Sequence, residues 1–276
     1  MPIDVDALVM SNDRLSATCN VLKLAAPAVA AAARPGQFVM VKQDLAAAPL
    51  LRRPFSVFEV LRDERGDILG LSLLNQRVGI VTEALYALEP GERLRCLGPL
   101  GRAFSLGSPP GEAWMVAGGV GLAPFATLAE ALRAAQVPAT LLYGGRSKAD
   151  LVYVDWFRRR GVRVRLTTED GSRGEPGLVT GALERMLAAG APPGMIYACG
   201  PTPMMRAVAA LACRHRCPAE VSLEPVMGCG LGGCYSCVVR VRDERLPAGG
   251  RFVRSCVHGP VFPGDRIAWD ALAGAA

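Results

Sequence analysis

Four cysteines constrain this chain more than any other feature. Cys229, Cys234 and Cys237 are spaced C-x4-C-x2-C, and Cys256 follows further on. The first three come from one tight loop that also holds Gly228, Gly230, Gly232 and Gly233. This is the plant-type ligand pattern of a 2Fe–2S cluster, in which two irons and their bridging sulfides take four thiolates. Glycines let the backbone curl around an inorganic cluster and aim N–H groups at its sulfurs. The expectation is that Cys229, Cys234, Cys237 and Cys256 ligate one such cluster and that the chain carries single electrons. Other readings explain the cysteines less well. Structural zinc also takes four thiolates, but usually from two C-x2-C knuckles. Disulfides need an oxidising compartment, and the N-terminus carries Asp4 and Asp6 with no basic leader. A centre with two histidine ligands would have to recruit both His215 and His258, which read better as surface or packing residues.

The chain has 276 residues, of which 51% are hydrophobic. That suffices for two compact domains and a small third module. No apolar run approaches the roughly 20 residues of a membrane helix; Leu24–Ala33 is short and interrupted by Pro27. A cytoplasmic protein, with no membrane partner, is expected, and its nine cysteines suit metal or redox use. Net charge is +6, with Arg158, Arg159, Arg160, Arg163 and Arg165 gathered together. No nucleic-acid motif or aromatic platform accompanies them, so a solvated helix face is expected and a nucleic-acid partner is not.

Three rhythms run along the chain. Residues 1–108 hold short apolar runs such as Phe38–Lys42, Phe55–Val60 and Ile68–Leu74, punctuated by Gly and Pro turns, which fits a small antiparallel β-barrel. Residues 109–220 alternate. Strand-like Trp114–Ala117, Thr140–Tyr143, Val162–Thr167 and Met195–Ala198 are interleaved with helix-like Pro124–Ala135, Leu178–Ala188 and Pro203–Cys213. That alternation argues for a parallel α/β domain. Residues 221–276 hold the cysteine loop and short, glycine-broken strands. The expected fold class is therefore multidomain, α+β and α/β.

Gly118-Gly119-Val120-Gly121 lies just after a strand and just before a helix. Glycines there let a backbone approach a pyrophosphate at a helix N-terminus, although a plain strand-to-helix turn reads the same way. Cys199-Gly200-Pro201 ends a later strand of the same sheet. Ligands of open α/β sheets bind outside the carboxyl ends of strands, so the two turns belong to one site. Cys199 is a candidate for the hydride path, and equally a small buried hydrophobe. Arg53-Pro54-Phe55-Ser56 offers an arginine fork for a diphosphate, a ring to stack on a flat heterocycle and a hydroxyl.

The order R-x-(F/Y)-S, then G-G-x-G-x-A-P, then C-G-P resembles the ferredoxin–NADP reductase superfamily, in which a β-barrel holds a flavin and an α/β domain a nicotinamide nucleotide. Val221-Ser222-Leu223-Glu224, the cysteine loop and the run from Cys256 to Phe262 narrow the resemblance. They are similar to electron-transfer subunits of heteromeric, NAD-dependent (class B) dihydroorotate dehydrogenases. The resemblance implies that Arg53, Pro54, Phe55 and Ser56 contact FAD, with Leu74, Asn75 and Gln76 on the next flavin-contacting strand. The family's G-x-G-T turn near the FAD phosphates reads Gly79, Ile80, Val81, Thr82 here, with Val81 in place of the second glycine. Gly118, Gly119, Gly121 and Pro124, with Gly200 and Pro201, would face NAD. Glu169 and Asp170 favour an unphosphorylated ribose, whereas Arg146 favours a phosphate. The implied partner is an FMN-containing catalytic subunit that oxidises dihydroorotate to orotate, in a heterotetramer serving pyrimidine biosynthesis. Equivalent modules of sulfide dehydrogenases, transhydrogenases or hydrogenases form the alternative. A non-enzymatic iron–sulfur protein with a vestigial nucleotide fold is disfavoured by the intact Arg53–Ser56 and Gly118–Gly121 runs.

Overall fold

The computed structural model describes residues 1–43, 50–106, 111–190, 192–243, 246 and 249–272. The N-terminal strands are β1 (Ile3–Arg14), β2 (Cys19–Ala25), β3 (Phe38–Lys42), β4 (Arg53–Ser56), β5 (Glu59–Arg62), β6 (Ile68–Gln76) and β7 (Arg93–Leu100). Two helices sit among them, α1 (Pro27–Ala32) and α2 (Ile80–Ala87). The strands form one antiparallel sheet in the order β4-β3-β7-β1-β2-β6-β5. Its edge strands, β4 and β5, are separated in sequence only by Val57 and Phe58. The sheet must therefore curl until its edges meet, which makes a barrel. Alternate residues of β1, β2, β3 and β6, such as Ala7, Val9, Leu22, Leu24, Val39, Val41, Leu71 and Leu73, fill its interior. The expected strand Phe55–Val60 is thus two strands. The chain turns the barrel corner at Val57 and Phe58, whose N–H groups bond to Gln37 (3.0 Å) and Ser72 (2.9 Å) on opposite edges. The alternating run is continuous in sequence, but its hydrogen bonds change partner midway.

The second sheet is built from β8 (Ala113–Gly118), β9 (Ala139–Gly145), β10 (Arg163–Thr168), β11 (Glu175–Pro176), β12 (Met195–Cys199) and β13 (Ala219–Ser222). Helices α3 (Phe125–Ala134), α4 (Val154–Arg159), α5 (Val179–Ala189) and α6 (Thr202–Arg214) connect them. The strands run parallel in the order β11-β10-β9-β8-β12-β13. Side chains alternate on β8: Ala113, Met115 and Ala117 face one core, Trp114 and Val116 the other. The expected helices appear within one or two residues of their predicted bounds. The short α4 was expected only as a basic helix face. Its Arg158 pairs with Asp155 (3.2 Å), and Arg160 caps it, pairing with Glu130 and lying 3.6 Å over the Trp156 ring.

The C-terminal segment adds β14 (Val238–Arg242) and β15 (Gly250–Arg254), which pair as a ribbon, then α7 (Ser255–His258) and β16 (Val261–Pro263). β16 returns to the second sheet and pairs antiparallel with β13. The expected boundary at 108–109 lies outside the described residues. Among the described residues no helix is long and apolar enough to cross a membrane.

Phe58 joins the two halves: it is 0% exposed, packs in the core of the second sheet and lies 4.8 Å from the Tyr153 ring. Phe58→Ala is expected to lower stability by about 3–5 kcal/mol. Leu69→Ala, at a side chain 39% exposed, should stay within about 0.5 kcal/mol. Urea unfolding midpoints of the two variants check the contrast.

Candidate functional site

Strand order in the second sheet reverses between β8 and β12, since the chain moves outward through β9 and β10 before crossing back. That switch point opens a crevice at the carboxyl ends of both strands. Gly118, Gly119, Val120 and Gly121 leave β8 there; Gly200 and Pro201 leave β12. All six line a cavity of about 710 Å³. Gly119 has φ +55 and would carry a Cβ into open space, so its backbone is bare toward the cavity. At Gly200 (φ +149) a Cβ would press on Met204 Cε (2.9 Å) and on the Gly118 backbone N (3.0 Å), so the two turns lie too close for a side chain between them. Pro124 lies behind them as the cap of α3, taking a hydrogen bond from the Thr127 hydroxyl (3.3 Å), and does not line the cavity.

Arg146, Asp150 and Glu169 form part of the same wall. The Arg146 guanidinium is paired with Asp150 (3.3 Å), which also accepts from the Arg146 backbone N–H (2.9 Å). Asp170 lies outside the wall and accepts from both the N–H and the hydroxyl of Ser172 (2.9 and 2.6 Å).

A second cavity, of about 480 Å³, opens between the barrel and the sheet. Arg53, Pro54, Phe55 and Ser56 line it from β4, and Leu74 and Gln76 from β6. Asn75 points to the opposite side of its strand, as alternation requires. It is fully buried and donates to Asn20 Oδ1 (2.8 Å) and the Thr82 carbonyl (2.9 Å). Arg53 donates to the carbonyls of Leu51 and Arg52 (3.0 and 3.3 Å) and, among the described residues, pairs with no carboxylate. Gly79, Val81 and Thr82 line this cavity at the start of α2. The Thr82 hydroxyl accepts from the N–H groups of Val78 (2.8 Å) and Gly79 (3.0 Å) and so braces the first turn. The substitution at Val81 is accommodated because that residue is helical, a conformation open to any side chain. The expected tight turn is a helix N-terminus, hidden by three β-branched residues of low helix propensity.

Gln76, Val120 and Glu224 line both cavities. Glu224 was visible in sequence only as part of a run, and its place at the junction follows from the end of β13. Cys199 does not face either cavity: it is fully buried, 3.7 Å from Glu224 Oε1. Burial, and then the Glu224 carboxyl, push its thiol well above the usual range. Cys199 is therefore a neutral thiol packed behind Glu224.

The three loop cysteines and Cys256 of α7 are free thiols in two adjoining pairs, Cys229 hydrogen-bonded to Cys234 and Cys237 to Cys256. Backbone N–H groups point at the sulfurs: Leu231 to Cys229 (3.3 Å) and Cys256 to Cys237 (3.4 Å). Burial raises the Cys229 thiol, but the N–H groups of Cys234, Leu231 and Gly233 outweigh it and bring it down to about 6. Burial and the neighbouring thiols push Cys256 up. Four thiols, two of which accept backbone N–H groups, fit the ligand set of a 2Fe–2S cluster.

Comparison with known proteins agrees with this geometry. A family model described as the iron-sulfur cluster binding domain of dihydroorotate dehydrogenase B matches residues 224–268. One described as an oxidoreductase NAD-binding domain matches residues 115–210. The dihydroorotate dehydrogenase B (NAD(+)) electron transfer subunit of Desulforamulus reducens is 35% identical, over 96% of this chain and 98% of its own length. An electron transfer subunit homolog from Aquifex aeolicus is 33% identical, over 97% and 99%. The solved structure of an NADH-dependent reduced ferredoxin-NADP oxidoreductase superposes with a TM-score of 0.84 at 29% identity, covering 98% of this chain and 92% of that one. The chain belongs to the family of dihydroorotate dehydrogenase B electron transfer subunits, as an NAD-linked oxidoreductase subunit whose cofactors are FAD, a 2Fe–2S cluster and NAD.

Proposed function

We propose that the barrel-side cavity holds FAD, the sheet-edge cavity holds NAD and the four cysteines hold the cluster. The observation that carries this reading is the wall common to both cavities, Gln76, Val120 and Glu224, along which their occupants meet. Once bound, nicotinamide exchanges a hydride, flavin trades electrons singly or in pairs, and the cluster moves one at a time. The chain's own part is positioning. Arg53 offsets the diphosphate charge, Phe55 packs on the flat ring and Ser56 supplies a hydroxyl. Leu74 and Gln76 extend that wall, while Pro54 fixes the strand and Asn75 holds α2 from behind. Gly79, Val81 and Thr82 present the α2 N-terminus to phosphate. Gly118, Gly119, Gly121, Gly200 and Pro201 give the nucleotide bare backbone, and Pro124 starts the helix behind it. Cys199 positions Glu224. With Arg146 already paired and Glu169 in the wall, an unphosphorylated ribose is the better occupant.

The functional division follows as 1–108 for FAD, 109–220 for NAD and 221–276 for the cluster. The partner is an FMN-containing catalytic subunit oxidising dihydroorotate, in a cytoplasmic heterotetramer. The relatives' names, electron transfer subunits of dihydroorotate dehydrogenase B, support a catalytic partner subunit, and an apolar surface around the loop, with Leu231 and Tyr235 56% and 64% exposed, supports its docking there. The similarity to the ferredoxin-NADP oxidoreductase supports a second reading, a transhydrogenase-type partner.

Metal analysis tests the cluster. Iron and acid-labile sulfide should each approach about two per chain, and Cys234→Ser should lose both because oxygen is a poorer ligand for a soft site. Zinc without sulfide would overturn the assignment. Flavin titration tests Arg53: the Arg53→Ala variant should bind FAD about 10- to 100-fold more weakly, the worth of one charge-assisted contact. Unchanged affinity removes Arg53 from the site. Turnover tests the division of labour. Alone, the chain should reduce artificial acceptors with NADH and leave dihydroorotate untouched; with the catalytic subunit it should couple dihydroorotate oxidation to NAD reduction. Dihydroorotate turnover by the isolated chain, or assembly with a different oxidoreductase, refutes the proposed partner.

A further inference from the structure

The thiols of Cys229, Cys234, Cys237 and Cys256 are not equivalent. Cys237 and Cys256 are 2% and 3% exposed, whereas Cys234 is exposed and Cys229 half-buried. The inner pair shares one apolar core with Phe38, Met40, Leu100 and Met227. Two of those side chains, Phe38 and Met227, also line the barrel-side cavity. Phe38 is 3% and Met227 6% exposed, so one packed layer separates the cavity from the inner thiols. The loop is pressed against that layer. Gly230 has φ +73, and a Cβ there would lie 2.5 Å from Met40 Cγ and 3.2 Å from Leu100 Cδ1.

We propose that Met227, beside Phe38, is the wall through which electrons cross between the flavin cavity and the cluster, with Cys237 and Cys256 as the flavin-side port and Cys229 and Cys234 as the surface-side port. The inference rests on the cofactor placement proposed above. Electron tunnelling is faster through close-packed atoms than across a void or loose water, and a protein interior supplies that packing. A side chain of methionine's volume fills that layer, and truncating it to alanine would leave a void. In the NADH-driven direction a bound flavin would supply electrons singly and a bound cluster would take one at a time. The layer of Met227 and Phe38 would therefore be crossed twice for each hydride, with a one-electron acceptor docked at the surface-side port taking each electron in turn.

The test uses the full chain loaded with FAD and cluster, in wild-type, Met227→Ala and Met227→Leu forms. After rapid mixing with NADH, the flavin and cluster absorption bands are followed separately. In Met227→Ala, cluster bleaching should slow several-fold relative to flavin bleaching in the same sample. The near-isosteric Met227→Leu should restore it. Paramagnetic resonance supplies a readout independent of turnover: at half-reduction, the magnetic coupling between the flavin radical and the reduced cluster should weaken in Met227→Ala and persist in Met227→Leu. Should Met227→Ala shed its cluster, Phe38→Leu carries the same comparison from the other side of the wall. Wild-type bleaching and coupling in a fully loaded variant overturn the wall alone. A wild-type chain whose flavin bleaches while its cluster stays oxidised overturns the cofactor placement itself, because there Met227 is intact.

Discussion

The contact on which the molecule depends is the one between the barrel's closing corner and the parallel sheet. At that corner the Val57 carbonyl accepts from Thr127 (3.4 Å), Phe58 enters the sheet's core, and Glu59 accepts from Tyr153 (3.0 Å) and Ser72 (2.9 Å). Tyr153 sits at φ +63, a left-handed conformation that costs a non-glycine residue of order 1 kcal/mol. The contacts on its ring and hydroxyl hold it there. Because barrel closure and sheet docking use the same few residues, the barrel cannot close without presenting its cavity to the sheet's switch point. The wall shared by the two cavities is a consequence of that geometry.

The cysteine segment is tied to this frame at both ends. Leu223 donates to the Pro260 carbonyl (2.9 Å), Arg102 donates to the Gly259 carbonyl (2.6 Å), and β16 completes the sheet beside β13. A loop closed at its base in this way loses little further entropy when its thiols are gathered. Arg254 braces the loop from above: it donates to the Gly232 carbonyl (2.7 Å) and lies 5.0 Å over the Tyr235 ring. Tyr235, at φ +58, directs an aromatic side chain outward between two cysteines. The loop therefore has a buried side built from barrel residues and an open side built from its own.

Much of this was legible before any coordinates, and the reason differs from part to part. The cysteine spacing is visible because ligand geometry demands it within one loop. The glycine turns after β8 and β12 are visible because backbone approach demands glycine. The second sheet is visible because alternation of strand and helix leaves a strong periodic signal. What stayed hidden depends on residues far apart in sequence. Cys199 and Pro124 carry family motifs yet sit behind the cavity wall, since the motif records a turn and not the direction of each side chain. Glu224 and Met227 reach the cavities only because β13 ends where the barrel docks. Strand β6 shows the same limit: Leu74 and Gln76 face the cavity while Asn75, between them, faces inward.

Helix α2 shows why such an element escapes local reading. It opens with Ile80, Val81 and Thr82 and ends without a glycine cap, so its own sequence offers poor start and stop signals. Its termini are satisfied from three barrel strands instead. Asn12 of β1 donates to the carbonyls of Leu85, Tyr86 and Leu88 at the helix end (3.3, 3.0 and 2.7 Å). Asn20 of β2 donates to Asn12 Oδ1 (2.5 Å), and Asn75 of β6 donates to Asn20 Oδ1. Asn75 also reaches the Thr82 carbonyl in the helix's first turn. Buried amides destabilise a core unless they are bonded, and most of these polar atoms are; Asn75 Oδ1 is buried without a partner among the described residues. The ladder thus trades a cost of about 1–3 kcal/mol for that one orphan atom against fixing both ends of an eight-residue helix. A helix that short is not stable by propensity. Held at both ends, it keeps Gly79, Ile80, Val81 and Thr82 of its first turn in the wall of the barrel-side cavity.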